Sequence, residues 1–136
     1  MRAYRYRHRV TFDETNLVGN VYFTNYLHWQ GHCREHFLAD HAPGVLKELR
    51  TGDLALVTVS CAMNFYTECF AFDIIDVAMR LGAQGGNRIT MTFDFTRDDL
   101  VIATGNQTVA CMRRDNEGME PVHPPPDLRA ALAEYA

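Results

Sequence analysis

The strongest constraint on the fold is one long helical segment followed by a chain that alternates as β-strands do. From about Tyr22 to Asp40, apolar side chains recur at spacings of three and four residues, which predicts an amphipathic helix. The stripe on this helix consists of Phe23, Tyr26, Leu27, Gln30, Arg34, Phe37 and Leu38, and Trp29 and Cys33 widen it. Ala42-Pro43-Gly44 ends the helix, and a short second helix is predicted over Val45–Thr51.

The rest of the chain is predicted to form sheet. Residues 3–12 alternate as a first strand. Later strands are predicted over Leu54–Thr67, Phe72–Ala83, Asn87–Thr96 and Leu100–Arg113. Within the third of these, Ile89, Met91, Phe93 and Phe95 share one face. Three prolines at 124–126 end the sheet, and Asp127 is expected to cap a final short helix through Leu132. We therefore expect one α+β domain over residues 1–136, with a long helix against an antiparallel sheet of about five strands.

Composition limits the class of protein. The chain has 136 residues, 47% hydrophobic and 22% charged, which is typical of one globular domain. Its net charge of -4 gives no general reason to bind nucleic acid. The N-terminus lacks a signal-peptide pattern, and no apolar run approaches the roughly 18 residues that a membrane helix needs. A soluble, cytoplasmic protein is expected.

One basic strand face stands out against this charge. Alternation places Arg5, Arg7 and Arg9 on one face of the first strand, with Tyr4 and Tyr6 on the other. Two interpretations remain open. The face is either simply solvated or a basic edge that meets an acidic carrier protein or a CoA phosphate.

A polar turn leads directly into the long helix and carries a recognisable motif. In Thr15-Asn16-Leu17-Val18-Gly19-Asn20-Val21-Tyr22, a polar residue is followed by two variable residues, a glycine and a tyrosine-bearing helix. This motif resembles that of the hot-dog thioesterases of the 4-hydroxybenzoyl-CoA type, in which an acid occupies the place of Asn16. The enediyne polyketide thioesterases, a subset of that family, have asparagine there and pair it with a helix arginine, and Asn16 and Arg34 match that pair.

The resemblance implies a fold and a function. The fold is the hot-dog fold, with the sheet wrapped around the long helix. The activity is hydrolysis of a long polyene β-ketoacyl thioester from the acyl carrier domain of an iterative polyketide synthase, after which the β-keto acid can lose CO₂. No cofactor is implied. Active sites form between subunits, and we expect a homotetramer built from dimers.

Arg34 is the first candidate residue because it interrupts an apolar stripe. A buried, unpaired guanidinium is costly, so it must have a partner, reach water or line a ligand site. It either pairs with Glu35, Glu68 or Asp73, or clamps an oxyanion or carboxylate with its forked donors.

The remaining candidates surround the motif. Asn16 cannot act as a base, but its amide can donate to a carbonyl or oxyanion; the alternative is that it only shapes the loop. Gly19, with the N–H groups at the helix start, would complete an oxyanion site. Tyr26 would steady Asn16 or the bound carbonyl, or else is a core aromatic. Glu35 and Glu68 are the carboxylates that could replace the missing base, Glu68 in a neighbouring subunit's site.

A linear polyene needs a narrow apolar channel. The side chains expected to line it, unless they are simply core, are Phe23, Leu27, Met63, Phe65, Met91 and Phe93.

Two other groups of residues could carry chemistry, and neither is expected to do so. His28, His32 and His36 share a helix face and could form a metal pair, but no convergent carboxylate accompanies them, so no metal is expected. Cys33 lies in the apolar stripe, where a thiol is usually inert. All four cysteines are expected to be small buried hydrophobes.

Two alternatives to a polyene thioesterase stay open. One is an acyl-CoA thioesterase with an ordinary acyl substrate. The other is a non-catalytic acyl-binding hot-dog protein, for which Asn16 would mark lost activity.

Overall fold

A computed structural model describes residues 2–136, so that Met1 lies outside the described residues. The helices are α1 (Thr24–His41), α2 (Pro43–Thr51) and α3 (Pro126–Ala133), and a 3₁₀ turn covers Phe12–Glu14. The strands are β1 (Tyr4–Arg9), β2 (Leu54–Phe65), β3 (Ile74–Gly85), β4 (Arg88–Arg97), β5 (Leu100–Asp115) and β6 (Gly118–Pro121).

All strands pair antiparallel in one sheet, in the order β1-β3-β4-β5-β2, with β6 added beside β5. The α+β class and the wrapped antiparallel sheet are confirmed. The strands do not all pair in chain order, because β2 pairs with β5 and not with β3, the next strand along the chain. This crossover makes β1 and β2 the two ends of the five-strand path.

The core lies between α1 and the concave face of the sheet. Trp29, Cys33 and Phe37 on α1 are at most 1% exposed. They pack with the inward residues of the two central strands, which are Val77, Met79, Ile89, Met91, Phe93 and Phe95. Burial of each large apolar side chain contributes roughly 1.5–3 kcal/mol, and this face therefore fixes both the helix and the strand register.

The two sheet edges differ in chemistry. On β1, Arg5, Arg7 and Arg9 are exposed while Tyr4 and Tyr6 are half-buried, as the alternation predicted. On β2, most side chains are exposed, including Val57 and Val59. Apolar residues at an open edge are unusual in a monomer, because an unpaired strand invites another chain.

Several local predictions were wrong. Asp127 does not cap α3; it lies in the first helical turn after Pro125, and no side chain caps that helix. Strand β6 was missed because the hairpin at Gly118 extends the sheet by only four residues. Cys61 is exposed, since it lies on edge strand β2, whereas the other three cysteines are buried. Among the helices of residues 2–136, none is long and apolar enough to cross a membrane.

Candidate active site

Asn16 begins a tight turn between the 3₁₀ turn and α1. Its backbone oxygen accepts from the Gly19 N–H at 2.9 Å, and its own N–H donates to the Asn20 oxygen at 2.7 Å. Gly19 has φ +98°, a conformation that side-chain-bearing residues rarely adopt. Leu17 and Val18 stand exposed at the tip of the turn. Gly19 thus shapes the loop that presents Asn16, while its part in an oxyanion site stays a prediction.

A chain of side-chain hydrogen bonds orients the Asn16 amide. Asn16 Nδ2 donates to Asn20 Oδ1 over 3.2 Å, and Asn20 Nδ2 donates to Glu68 Oε1 over 3.1 Å. An ionised carboxylate only accepts hydrogen bonds, so Glu68 fixes the orientation of the Asn20 amide. Asn20 in turn directs one N–H of Asn16 towards itself. The second N–H of Asn16 remains available as a donor.

A cavity of about 250 Å³ opens beside this chain, where α1 begins and β2 ends. Its lining consists of Asn20, Val21, Phe23, Tyr26, Phe65, Tyr66, Thr67 and Glu68. Two of the predicted channel residues, Phe23 and Phe65, therefore lie beside the loop of residues 15–22, which we call the motif loop. We refer to this space as the aromatic cavity.

Tyr26 forms the buried wall of the aromatic cavity. Its ring packs against Trp29, Phe65 and Phe95 with centroid distances of 5.0, 5.1 and 5.7 Å. Its hydroxyl lies 3.0 Å from Cys69 Sγ. Burial, followed by this hydrogen bond, raises the pKa of Tyr26 far above its ordinary value, so the phenol stays protonated. In this structure the hydroxyl is engaged with Cys69 rather than Asn16.

Arg34 lies two helical turns further along α1. Its Nε and Nη1 are buried and have no hydrogen-bond partner within residues 2–136. Burial lowers the pKa of Arg34, and the nearby charge of Glu35 partly opposes that shift. The side chain borders one apolar cavity with Leu56 and Val109 and a wider one, about 410 Å³, between α1, α2 and β2.

Of the two alternatives for Arg34, the ion pair with Glu35, Glu68 or Asp73 is not formed among the described residues. Glu68 accepts from Asn20 instead, and Asp73 pairs with Arg97 over 3.1 Å. Glu35 is exposed, and no ion pair of the described residues joins it to Arg34. Arg34 consequently keeps unpaired donors, the property that an anion clamp requires.

One chain does not bring Asn16 and Arg34 to a common cavity. Tyr26, in the wall beside the motif loop, and Arg34 are eight residues apart, which is about 12 Å along a helix. Of the other predicted channel residues, Met91 borders the apolar cavity at Arg34, and Phe93 is 1% exposed in the core. Leu27 and Met63 are partly buried.

The histidine face and Cys33 have structural surroundings. His28, His32 and His36 are exposed, and Tyr6 packs its ring against His32 and His36. Within residues 2–136, no group of three His, Cys, Asp or Glu side chains could hold a metal ion. Burial raises the pKa of the Cys33 thiol to about 12, which disfavours a nucleophilic thiolate.

Sequence reasoning missed Glu14, a carboxylate beneath the motif loop. Its side chain accepts from Trp29 Nε1 at 2.6 Å and from the Thr11 N–H at 2.9 Å, and bonds His8 Nε2 at 2.8 Å. Burial acts to raise the pKa of Glu14, but the bonds from His8, Thr11 and Trp29 outweigh it and lower the pKa. The Glu14 backbone oxygen also accepts from the Tyr22 N–H. Glu14 therefore connects β1, the motif loop and α1. The capping-box spacing from Thr11 to Glu14 is a local signal for one of these bonds, whereas the bonds to His8 and Trp29 have no signal in the local sequence.

Comparison with known proteins identifies the family. Residues 10–132 match the model of the thioesterase-like superfamily. The dynemicin thioesterase, whose crystal structures reveal induced-fit and allosteric effects upon polyene binding, is 60% identical and superposes with a TM-score of 0.94. The match covers 98% of this chain and 97% of that one.

More distant structures share the fold. A protein of Aquifex aeolicus is 23% identical, with 94% and 98% of the two chains covered and a TM-score of 0.84. A 1,4-dihydroxy-2-naphthoyl-CoA thioesterase from Synechocystis is 18% identical, with coverage of 97% and 96% and a TM-score of 0.85. The chain therefore belongs to the thioesterase-like superfamily and is a hot-dog thioesterase, as the motif around Asn16 predicted.

Proposed function

We propose that this thioesterase hydrolyses a long-chain polyene β-ketoacyl thioester carried on the acyl carrier domain of an iterative polyketide synthase. The observation that carries the proposal is the 60% identity, over almost the full length, to a thioesterase that binds a polyene. The aromatic cavity adds support, because Phe23, Tyr26 and Phe65 offer flat apolar surfaces suited to a conjugated chain.

The chemistry fits a site without a free base at position 16. A β-keto thioester is more electrophilic than a plain thioester, so water can attack when the developing oxyanion is well stabilised. We propose that Arg34 donates to that oxyanion and then to the product carboxylate. The unengaged N–H of Asn16 donates to the second carbonyl or to the same oxygen. The β-keto acid so formed can then lose CO₂.

We infer that each site combines Asn16 of one subunit with Arg34 of another. The support is geometric, since Arg34 lies about 12 Å along α1 from Tyr26, which borders the loop that carries Asn16. The exposed apolar residues of edge strand β2 support an assembly that covers this edge. A homotetramer built from dimers is the expected form, acting in the cytoplasm where its carrier protein would be found.

The carrier domain would approach through the basic face of β1. Arg5 and Arg9 are exposed there and absent from the ion pairs among the described residues, whereas Arg7 pairs with Asp76. Exposed arginines favour an acidic protein surface and mainly raise the rate of encounter.

The decisive experiment compares thiol release from two substrates. Purified protein is incubated with a long-chain β-ketoacyl carrier domain and with a saturated acyl-CoA of equal length. Faster release from the β-keto carrier substrate is expected. The variant Asn16→Ala is assayed on the same substrates. Leu17→Ala, at the exposed tip of the motif loop, is its neutral control. Equal or greater turnover of the acyl-CoA would favour an ordinary acyl-CoA thioesterase, and binding without turnover would favour an acyl-binding protein.

A further inference from the structure

Unpaired polar atoms are concentrated in one layer of this structure, between α1 and strands β5 and β2. Within residues 2–136, five buried side-chain nitrogen or oxygen atoms have no hydrogen-bond partner. Four of them belong to Gln30, Arg34 and Gln107, and the fifth is Nε of Arg80. Native proteins keep few such atoms, because burying an unsatisfied polar group destabilises the fold. A cluster of them therefore calls for a functional explanation.

Gln30 supplies a fixed acceptor to this layer. It is 2% exposed and lies on α1 one turn before Arg34. Its Nε2 donates to the backbone oxygen of Asn106 at 3.3 Å, which leaves Oε1 without a partner. Exchanging the two amide atoms would place an oxygen against that backbone oxygen, so the orientation is determined.

Gly105 on β5 makes room for that oxygen. A Cβ atom at residue 105 would lie 2.4 Å from Gln30 Oε1 and 3.0 Å from the thioether of Met63. Such a contact is far too close, so any side chain there would displace the Gln30 amide or fill the space beside it. Glycine at this position therefore lets the Gln30 amide oxygen lie directly against the backbone of β5.

Gln107 faces the same layer from the sheet. On a strand, residues two apart share a face, so Gln107 projects between Gly105, opposite Gln30, and Val109, which borders the cavity at Arg34. Its Nε2 donates to Thr58 Oγ1 over 3.1 Å, and its Oε1 has no partner. Two amide oxygens and the guanidinium donors of Arg34 thus lie between α1 and the sheet, each without a hydrogen-bond partner among residues 2–136.

We propose that Gln30 and Gln107 are catalytic residues that hold the attacking water, by accepting its two hydrogens while Arg34 binds the thioester carbonyl. This inference rests on the proposed thioester hydrolysis. Water is a donor and a carbonyl oxygen is an acceptor, so the two reactants of hydrolysis match the unpaired acceptors and donors. A water held by both hydrogens directs a lone pair at the carbonyl carbon.

The resulting step is balanced without a side-chain base. The water oxygen forms a bond to the carbonyl carbon, and the π electron pair moves to the oxygen held by Arg34. When the tetrahedral species collapses, the C–S bond breaks and the sulfur leaves with the electron pair. The proton released by the water ends on that sulfur, giving a carboxylic acid and a thiol. The two amides orient the water but take up no proton.

The test replaces each amide by an unbranched apolar side chain of similar length. Gln30→Met and Gln107→Met are compared with the unsubstituted protein and with Gln84→Met, a control whose amide is exposed beside the β3–β4 turn. Two quantities are measured: kcat on a long-chain β-ketoacyl carrier domain, and Kd for a β-ketoacyl pantetheine in which methylene replaces the thioester sulfur. Thermal unfolding is followed in parallel.

The expected result is a separation of turnover from binding. Misplacing a reactant by about 1 Å can cost on the order of 10²-fold, so kcat should fall roughly 10- to 100-fold in each variant. Kd should change less than about threefold, because water orientation adds little to acyl binding. Should one variant fail to fold, the other decides the question, since both amides contact the same water.

Two outcomes would overturn the inference. Turnover within about twofold of the unsubstituted protein would mean that the amides are only structural. Equal losses in kcat and in affinity for the sulfur-free analogue would mean that they bind the acyl group instead. Failure of the proposed function itself looks different, because the unsubstituted protein and Gln84→Met would then release no thiol from either a β-ketoacyl carrier or an acyl-CoA.

Discussion

The side-chain amide of Asn20 donates to the carboxylate of Glu68 over 3.1 Å, and this bond determines which way the next amide along the loop points. Asn20 offers its oxygen to Asn16 as a consequence. We therefore expect Glu68 to act on Asn16 through Asn20, as a positioning residue rather than as a base that takes a proton from water.

Replacing Glu68 by glutamine tests this relationship. Glutamine can donate as well as accept, so both asparagine amides lose their fixed orientation. Since one hydrogen bond contributes a net of about 0.5–1.5 kcal/mol, Glu68→Gln should lower kcat/KM roughly 3- to 10-fold. Glu117→Gln, exposed in the β5–β6 turn, is the matched control. A loss of about 10³-fold or more, with a new pH dependence, would instead identify Glu68 as the general base.

Replacing Arg34 distinguishes a functional role of this side chain from a structural one. Its buried nitrogens have no partner in residues 2–136, so removing them breaks no ion pair. Arg34→Met should lower turnover by about 10²-fold or more, on the scale of a lost oxyanion donor, while Tm is unchanged or rises. Arg50→Met, exposed at the same wide cavity, is the control. Retention of more than half the activity would exclude the anion clamp.

Substitutions of Asn16 test whether its amide is adapted to donate hydrogen bonds to the substrate or is only the remnant of a catalytic carboxylate. Asn16→Ala should cost on the order of 10²-fold in turnover, as for one oxyanion donor. Asn16→Asp removes the donor and places negative charge beside the developing oxyanion, so the β-keto substrate should also be hydrolysed more slowly. Initial rates on β-ketoacyl and plain acyl substrates measure both effects. Faster hydrolysis of both by the Asp variant would mean that the amide is a degraded acid.

We expect the contribution of Glu14 to the stability of the protein to depend on pH. Its folded-state pKa lies below the ordinary value of 4.5, because bonds from His8, Thr11 and Trp29 favour the carboxylate despite burial. A group with a lowered folded pKa stabilises the protein above the unfolded pKa, and that stabilisation is lost as pH falls through the folded pKa. Glu14→Gln should therefore lower Tm at pH 7, and the difference from the unsubstituted protein should shrink below about pH 4.5.

Denaturation of both proteins by heat between pH 3 and 8 measures this difference. Glu120→Gln, exposed on β6, should show no comparable effect. A constant difference in Tm over the whole range would assign the stabilisation to packing rather than to the charge of Glu14.

Local patterns sufficed for most of the fold and for part of the site. The alternation from Ile89 to Phe95 reports burial directly, and the structure confirms it. The period of α1 is confirmed in part: Tyr26, Phe37 and Leu38 are buried, whereas Phe23 precedes the helix and is 53% exposed. The crossover of β2 to β5 is not visible in local sequence, since pairing partners depend on the whole sheet. The motif identified Asn16 and Gly19. Glu14 was missed because most of its contacts join distant elements, and the roles proposed for Gln30 and Gln107 depend on such contacts too.

The placement of Arg34 on α1 and of Asn16 in the loop before that helix has a consequence for oligomers that contain two variants. If each site draws its asparagine and its arginine from different subunits, two inactive variants can complement one another. When Asn16→Ala and Arg34→Met chains exchange at random, half of the dimers are mixed, and each mixed dimer regains one intact site of two. Mixing should then restore about a quarter of the unsubstituted activity. Co-expression would restore no activity if both residues served a site within one chain. This measurement therefore shows whether the site is shared between subunits, without any structure of the complex.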